Sequence, residues 1–346
     1  MASTGTGTGV YLSAVQPYMT LLDYTSEEAF FAHMHRLLQA ADVGRSSDAA
    51  IVVLPEDLAT FLALLGAPER VRELGTLDEA FALLGRAQLA PLARTMLARR
   101  TFRIPVAFFH LTAPVVYGAW HRTMSRLARE FHITLVGGSA LLPENGLGYT
   151  SDKFRASGGA VYNLALTFGP DGRVVAVTRK RNLVPTQEDR LYLARGPAIP
   201  AAPVPVGNHR LGVAICYDAF VTPHTSREPG FEPLVPKLAA LGADIIAQPS
   251  ANPWTWTDAW VFAQASDHRS RREQWQQEGL LEAMRREPSI RAGINPQLLA
   301  TLFDTHFDGQ SAIYVREGDT VLPVVEAAQG DARPDAETVI GWSLPF

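Results

Sequence analysis

The sequence contains only one cysteine among its 346 residues. An intrachain disulfide needs two cysteines, so a disulfide framework is excluded, and a reducing compartment such as the cytoplasm is the expected location. The chain also lacks an unbroken apolar run of the roughly 18 residues that a membrane-spanning helix requires. Its start, MASTGTGTGVYLSAV, has no positively charged segment before an apolar core, so we expect no secretory signal.

Excess positive charge is missing as well. The 31 Lys and Arg residues are outnumbered by 35 Asp and Glu residues, and the formal net charge is −4. Proteins that bind nucleic acid usually present a basic face, so we expect neither a nucleic-acid partner nor a membrane partner. The nine histidines show no spacing typical of metal ligands, and we expect no metal. With 47% hydrophobic residues, the chain is long enough for a large core.

Hydrophobic patterning indicates strands that alternate with helices. Apolar residues at helical spacing predict helices at 26–42 and 119–131, and a Leu/Ala/Arg-rich composition predicts a helical insertion or extension at 58–103. Hairpins are predicted at 158–185, where a Pro-Asp-Gly turn joins two strands, and at 311–325. The remaining predicted elements are strands at 10–16, 49–57, 104–111, 133–140, 209–218 and 337–346, a helix followed by a strand within 233–252, and a polar helix within 264–290.

This mixture of strand–helix alternation and hairpins is typical of a layered α/β protein with mixed sheets. The sequence shows no internal repeat and no long linker, so we predict a single domain over residues 1–346. Residues 1–9 are expected to form a flexible leader, because Gly and Thr alternate there.

Three predicted strands end at a residue that can do chemistry. IVVLPED presents Glu56, VTRKRNL presents Lys180 and VAICYD presents Cys216. In α/β proteins, reactive groups gather where strands end. Each residue also has an ordinary alternative: a small buried hydrophobe for Cys216, a surface carboxylate for Glu56 and a solvated basic run for Lys180.

Together, the three residue types suit nucleophilic catalysis. A thiol is mostly protonated at neutral pH and needs a base to take its proton, which a carboxylate such as Glu56 can do. A lysine can stabilise both that carboxylate and the oxyanion that forms on a substrate. The backbone N–H of Tyr217, next to the nucleophile, is a candidate second donor to the oxyanion.

The order of these motifs resembles that of the nitrilase superfamily, the carbon–nitrogen hydrolases. That family is marked by a Glu in a strand–Pro-Glu motif, a Lys in an Arg-Lys motif and a Cys after an apolar strand. Here these motifs are LPE (54–56), RKRNL (179–183) and AICYD (214–218). The further segments that resemble the family are VYN (161–163), GPDG (169–172), GADIIAQPSAN (242–252) and FDGQSAIYV (307–315).

The resemblance implies a stacked α-β-β-α sandwich with two central mixed sheets and outer helices. It implies catalysis by Glu56, Lys180 and Cys216 through a thioester, without a metal or an organic cofactor. It adds Glu188, eight residues after Lys180, as a residue that orients the lysine and helps to position the substrate. It also implies a homo-oligomer that acts on a small-molecule amide, carbamoyl compound or nitrile.

The segment after the cysteine favours amides over nitriles. CYDAF resembles the amidase and carbamoylase branches, whereas nitrilases proper tend to have Cys-X-Glu-Asn there. A nitrilase is the alternative, and an acyltransferase or a non-catalytic assembly module are alternatives of other classes. Tyr217, Asn252 and Trp254 are the candidate substrate-binding residues, although packing under a loop is an equally good interpretation of Trp254.

Three segments depart from the family pattern. One is SIRAGINPQLLATLFD (289–304), where relatives usually show an Arg-Ala-x-Glu-Asn helix followed by a strand. AFVTPHTSREPGFEP (219–233) stands where many amidase relatives continue with Arg-Phe-Pro-Glu, and 58–103 is longer than in compact relatives. Loops set the shape of a pocket, so the resemblance does not identify the substrate. We interpret Asn163 and Asp218 as structural hydrogen-bond partners rather than catalysts.

Overall fold

The computed structural model describes residues 9–41, 49–263 and 266–345. The predicted flexible leader, residues 1–9, therefore lies outside the described residues except for Gly9. The strands are β1 (Val10–Gln16), β2 (Tyr18–Met19), β3 (Ala49–Leu54), β4 (Thr134–Asn145), β5 (Ala156–Phe168), β6 (Val174–Arg179), β7 (Val204–Val206), β8 (His209–Val213), β9 (Ile245–Ala247), β10 (Ala292–Asn295), β11 (Leu299–Leu302), β12 (Thr305–Phe307), β13 (Ala312–Glu317), β14 (Thr320–Glu326) and β15 (Thr338–Leu344).

Helices are placed between these strands along the chain. The α-helices are α1 (Glu27–Ala40), α2 (Leu77–Ala87), α3 (Leu89–Arg99), α4 (Ile104–Phe131), α5 (Val235–Ala240), α6 (Arg271–Glu278) and α7 (Leu280–Arg286). The short 3-10 helices are Leu21–Tyr24, Thr60–Leu64, Glu69–Glu73, Cys216–Ala219 and Pro334–Ala336. Within the described part of the chain, no helix combines the length and the apolar character needed to cross a membrane.

Two six-stranded sheets form the centre of the molecule, in the orders β15-β1-β3-β4-β5-β6 and β14-β13-β10-β9-β8-β7. Both are mixed. Strands β1, β3 and β4 run parallel in the first sheet, and β8, β9 and β10 run parallel in the second. The outer strands of both sheets pair antiparallel. A small third sheet has the order β12-β11-β2.

The two large sheets pack face to face, with helices on their outer faces. Val53 of β3 and Ile245 of β9 share the hydrophobic cluster between the sheets. Successive strand residues point to opposite faces, so Val52 packs outward against Trp120 of α4, and Ile246 belongs to the outer cluster that contains α5 and α7 residues. The α-β-β-α sandwich that the resemblance implied is therefore confirmed.

The strand predicted at 104–111 is wrong. Residues 104–131 form the single helix α4, with Pro105 in its first turn, where proline is well tolerated. Phe108 and Phe109 are both buried, although they are consecutive, because the helix packs against more than one neighbour. A short apolar run does not distinguish a buried strand from a buried helix, which is why the prediction failed.

The segment 58–103 contains helical pieces rather than one helix. Two 3-10 helices come first, and α2 and α3 follow. Val71, Leu84 and Leu92 from this segment join Phe108 of α4 in one hydrophobic cluster. The segment is therefore packed onto the domain through α4.

A glycine of β4 allows the loop that carries Glu56 to approach the sheet closely. Gly138 has a φ of +71°, and a Cβ at this position would lie 2.3 Å from the Pro55 carbonyl oxygen. The next residue, Ser139, accepts a hydrogen bond on Oγ from the Asp57 N–H at 2.9 Å. Close packing at Gly138 therefore helps to hold the backbone on both sides of Glu56.

Gly138→Ala is expected to destabilise the protein more than Gly148→Ala. Both glycines have a positive φ, +71° and +79°, so alanine strains the backbone at either position, but a Cβ at position 148 meets nothing within 4 Å. The clash with the Pro55 carbonyl should add about 1–3 kcal/mol to the loss of unfolding free energy at position 138. Urea unfolding measures the difference, and equal losses would contradict the role given to Gly138.

Candidate active site

Three side chains from separate strand ends come together in the interior. Glu56 lies two residues after β3, Lys180 directly follows β6, and Cys216 begins a 3-10 helix beyond β8. Strands β3 and β6 belong to the first sheet and β8 to the second, so the site draws on both. The three residues are only 2%, 1% and 3% exposed, so their charges and hydrogen bonds act with little screening by water.

Lys180 is held between two carboxylates. Its Nζ lies 2.7 Å from Glu56 Oε1 and 2.6 Å from Glu188 Oε2. Burial acts to lower the pKa of Lys180, but attraction to Glu188 and Glu56 raises it well above its ordinary value. Lys180 is therefore a buried ammonium that keeps its proton.

Further donors hold the two carboxylates in place. Asn163 Nδ2 donates to Glu56 Oε1 at 2.8 Å and to Glu188 Oε1 at 3.1 Å, so one amide bridges both. The Ala251 N–H donates to Glu56 Oε2 at 3.1 Å, and the Val184 N–H donates to Glu188 Oε2 at 2.8 Å. Asn163, interpreted from the sequence as a structural hydrogen-bond partner, orients the carboxylates of this site.

Glu56 is a stronger base than an ordinary glutamate. Burial raises its pKa, the charge of Lys180 lowers it and the charge of Glu188 raises it, and the balance lies above the ordinary value of 4.5. Interaction with the Cys216 thiol lowers the pKa of Glu56 and raises that of the thiol. The carboxylate is therefore suited to accept a proton from this thiol.

Burial raises the pKa of the Cys216 thiol well above its ordinary value. The negative charge of Glu56 acts in the same direction, and the charge of Lys180 opposes it. The resting sulfur is therefore a neutral thiol. It becomes a nucleophile when its proton moves to a base, and of the carboxylates that act on it, Glu56 and Glu188, Glu56 has the larger effect.

The backbone of Cys216 has an uncommon conformation. Its φ is 47°, in the left-handed region that non-glycine residues rarely adopt. Its N–H donates to the Pro249 carbonyl at 2.8 Å, and Gln248 Nε2 donates to its carbonyl at 2.8 Å. Its Sγ lies 4.0 Å from the Ala251 carbonyl oxygen. Such strain persists where surrounding contacts impose it, and it concentrates at functional sites.

Asp218 ties the cysteine helix to the residues that follow Lys180. It accepts hydrogen bonds from the N–H groups of Arg181, at 3.1 Å to each oxygen, and of Asn182 at 2.7 Å. Burial raises the pKa of Asp218 to about 7, although these backbone hydrogen bonds act to lower it. The contacts agree with the interpretation of Asp218 as a structural hydrogen-bond partner.

Tyr217, a predicted substrate-binding residue, offers a backbone donor beside the thiol. Within the described part of the chain, its N–H has no acceptor. Its ring is fully buried and its hydroxyl donates to Glu228 at 2.8 Å, so the side chain is already engaged. The backbone N–H is the part of Tyr217 that can reach a substrate oxygen.

The other two predicted substrate-binding residues lie at the edge of the site. Asn252 is fully buried, and its Nδ2 donates to the carbonyls of Trp254 at 2.6 Å and Asp308 at 2.9 Å. Trp254 is half-buried and lines a cavity of about 360 Å³. Gln187, which precedes Glu188, lines the same cavity, so the cavity lies beside the site.

Two groups of the site were not predicted from the sequence. The Ala251 N–H is a backbone donor, and no residue type identifies such a donor in advance. Arg271 is 2% exposed and donates from Nε to Asn252 Oδ1 at 2.7 Å. Ser270, which caps the start of α6, is the sequence feature that could have located this helix, but it does not reveal which way Arg271 points.

The site combines a thiol, a carboxylate base, an ammonium and an unpartnered backbone N–H. These groups are the ones needed for nucleophilic attack on an acyl carbon and for stabilising the oxyanion that results. Among the described residues, no group of three or more His, Cys, Asp or Glu side chains could hold a metal ion.

The sequence matches a known protein family. The profile described as carbon–nitrogen hydrolase matches residues 12–266, which is more than half of the chain. No curated protein matches the sequence significantly.

Solved structures share the fold at low sequence identity. A mutant of the amidase from Nesterenkonia sp. AN1, with acrylamide added at its active-site cysteine, has a TM-score of 0.55 and 15% identity, over 97% of this chain and 93% of its own. Nit3 from Saccharomyces cerevisiae, a member of branch 10 of the nitrilase superfamily, has a TM-score of 0.56 and 18% identity, over 98% and 90%. The carbon–nitrogen hydrolase from Helicobacter pylori G27 has a TM-score of 0.54 and 15% identity, over 97% and 89%. These likenesses show the fold, and the profile match shows that the chain belongs to the carbon–nitrogen hydrolase family.

Proposed function

We propose that this carbon–nitrogen hydrolase cleaves the C–N bond of a small amide or N-carbamoyl compound through a thioester on Cys216. The observation that carries the proposal is the Lys180 ammonium, 2.7 Å from Glu56 and 2.6 Å from Glu188, beside a thiol that interacts with Glu56. Support for a nucleophilic sulfur also comes from the Nesterenkonia amidase of the same fold, a mutant of which adds acrylamide at its active-site cysteine by Michael addition.

In the first half of the reaction, Glu56 takes the proton of the Cys216 thiol as the sulfur attacks the carbonyl carbon. An S–C bond forms, and the carbonyl oxygen becomes an oxyanion that the Lys180 ammonium and the Tyr217 N–H stabilise. The oxyanion then collapses, the C–N bond breaks, and the proton held by Glu56 passes to the leaving nitrogen. Ammonia or an amine departs and a thioester remains.

In the second half, Glu56 takes a proton from a water molecule whose oxygen attacks the thioester carbon. The C–S bond breaks, the carboxylic acid departs, and the sulfur regains its proton from Glu56. One carboxyl group can serve as base and acid in turn because burial raises the pKa of Glu56 towards the operating pH.

Glu188 and Asn163 are positioning residues in this proposal. Glu188 supplies a second anion for Lys180, and Asn163 holds the two carboxylates side by side. Without Glu188, the buried ammonium would depend on Glu56 alone. A closer pairing of that kind would make Glu56 a weaker base.

An amide or carbamoyl group is proposed rather than a nitrile because CYDAF resembles the amidase branches. A panel of amides, N-carbamoyl amino acids and nitriles, assayed for ammonia and acid, tests the choice. Turnover of nitriles alone, with acid formed and no free amide, would move the assignment to a nitrilase. A cytoplasmic homo-oligomer belongs to the same proposal and rests on the resemblance and on the single cysteine.

Cys216→Ala is expected to lower kcat for small amides at least about a thousandfold, because the chain has no second thiol. The smaller side chain fits the same space, so the unfolding free energy should stay within about 1 kcal/mol of wild type. Mass spectrometry of the wild type with substrate should show an acyl mass gain on Cys216. Wild-type turnover by a folded alanine variant would contradict the thioester mechanism.

Glu188→Gln is expected to lower kcat about 10- to 100-fold and to move the acidic limb of the kcat/KM profile to lower pH. The negative charge of Glu188 raises the pKa of Glu56. Removing that charge lets Glu56 lose its proton at a lower pH, so the active base form persists further into acid. Rates measured with one amide across the pH range report both effects.

Glu144→Gln is the matched control for this substitution. Glu144 pairs with Arg179, the neighbour of Lys180, but the pair is partly exposed to water. Loss of this ion pair should leave kcat within about twofold of the wild-type value and the acidic limb of the pH profile unchanged. A Glu188→Gln variant with the wild-type acidic limb would refute the coupling between Glu188 and Glu56.

A further inference from the structure

Arg271 is a buried cation in an aromatic cage beside the site. Its guanidinium carbon lies 3.9 Å from the centre of the Trp260 ring, 4.9 Å from Trp254 and 5.3 Å from Trp275. We call these three rings the Arg271 cage. Cation–π contacts of this kind offset part of the cost of burying a charge.

The hydrogen bonds of Arg271 within the described chain reach no anion directly. Its Nε donates to Asn252 Oδ1 at 2.7 Å, and an Nη1 hydrogen bond of 2.5 Å reaches Gln274 Oε1, so both acceptors are neutral amides. Among the described residues, no carboxylate forms an ion pair with Arg271 and no group accepts a hydrogen bond from Nη2. Buried charges are normally paired directly, but Glu278, a carboxylate whose charge stabilises Arg271, lies one hydrogen bond beyond Gln274 and already pairs with Arg269.

The position of Arg271 in its helix does not explain its buried charge either. It is the first residue of α6, where the positive end of the helix dipole disfavours a cation. Burial lowers the pKa of Arg271 to about 9, and the side chain still carries its charge at neutral pH. A residue that breaks local rules in this way is typical of a functional site.

Arg271 is linked to the thiol through one short stretch of chain. It contacts Asn252, which follows Ala251. The Ala251 N–H binds Glu56, and its carbonyl oxygen lies 4.0 Å from Cys216 Sγ. A charge on Cys216 is close enough to stabilise the charge on Arg271.

His224 provides a second unpartnered donor against the same cage. Its ring lies edge-on to Trp260 with centroids 4.9 Å apart, and it stacks on the Tyr217 ring at 3.8 Å. Gln274 Nε2 lies 3.5 Å from His224 Nδ1, so Nδ1 accepts and the proton of the neutral ring is on Nε2. Within the described chain, this buried Nε2 has no hydrogen-bond partner.

The Arg271 cage borders an opening to the surface. Trp254 is a wall of the cage and also lines the cavity of about 360 Å³ that Gln187 lines, whereas Arg271 and His224 do not line it. Asp258 and Asp304 line this cavity as well, and their charges repel an anion. The guanidinium, which lies against Trp254, is a cation that can attract an anionic substrate.

We propose that Arg271 binds a carboxylate of the substrate, with His224 Nε2–H as a second donor, so that the enzyme prefers amides or carbamoyl compounds that carry a carboxylate. This inference rests on the proposed C–N hydrolase function. A carboxylate accepts a hydrogen bond from Nη2 and supplies a directly paired anion. The aromatic rings keep water away, which strengthens the ion pair.

The test compares kcat/KM within matched pairs of substrates. Succinamate and isocaproamide have the same length, and an isopropyl group in the second replaces the carboxylate of the first. N-carbamoyl-β-alanine and isopentylurea form the equivalent carbamoyl pair. We expect the wild type to prefer the charged member of at least one pair by about 100-fold or more. A preference within the succinamate pair would place the carboxylate on the acyl part of the substrate. A preference within the N-carbamoyl-β-alanine pair would place it on the amine part.

Arg271→Gln is expected to lower kcat/KM for the charged substrate about 100-fold and to leave the neutral partner within about threefold. Arg271→Lys keeps the charge but not the planar set of donors, so the loss of kcat/KM for the charged substrate should be intermediate. Arg272→Gln is the matched control, because Arg272 is an exposed neighbour on α6, and it should change neither substrate.

The outcomes separate this inference from the function on which it rests. Equal losses for both members of a pair in Arg271→Gln would show a structural role and overturn the carboxylate site. A wild type with no preference for a charged member overturns it even where the variant does not fold. Neutral amides hydrolysed without such a preference leave the proposed function in place, whereas no turnover of any amide or urea by the wild type rejects both.

Discussion

A buried ammonium between two carboxylates is the interaction on which this site depends. Lys180 gains its charge stabilisation from Glu56 and Glu188, which lie 2.7 Å and 2.6 Å away, and none of the three can leave without exposing a buried charge. The cluster has one negative charge in excess. That excess, with burial, keeps Glu56 basic and the Cys216 thiol protonated, so the sulfur is activated only when its proton moves.

Strained backbone places these groups where strands end. Cys216 and Asp57, the residue after Glu56, both have a positive φ, 47° and 57°. Neither conformation is stable by itself, and each is imposed by neighbours: Gln248 holds the carbonyl of Cys216, and Ser139 holds the N–H of Asp57. Packing between the two large sheets offsets the free-energy cost of this strain. A site of this kind therefore depends on the folded domain as a whole.

In the proposed function, chemistry and substrate selection belong to different parts of the chain. The reacting groups lie at the ends of sheet strands, where the family motifs occur. The Arg271 cage is built from 254–275, a stretch whose polar composition bears no catalytic motif. The negative cluster at the thiol and the Arg271 cation would orient a substrate of the proposed kind, with its carboxylate towards the guanidinium. Carboxylate recognition by Arg271 thus fits the charge layout of the whole site.

The sequence by itself determined which residue types stand at which strand ends. The order of the motifs there predicted both the α-β-β-α sandwich and the candidates Glu56, Lys180 and Cys216. Local patterns report periodicity and turns, so they predicted the Pro-Asp-Gly hairpin but mistook the start of α4 for a strand. Only the tertiary structure decided that Glu56 and Lys180, 124 residues apart, lie in contact, and that Arg271 turns inward. These facts depend on packing between distant segments, whose free energy no local pattern encodes.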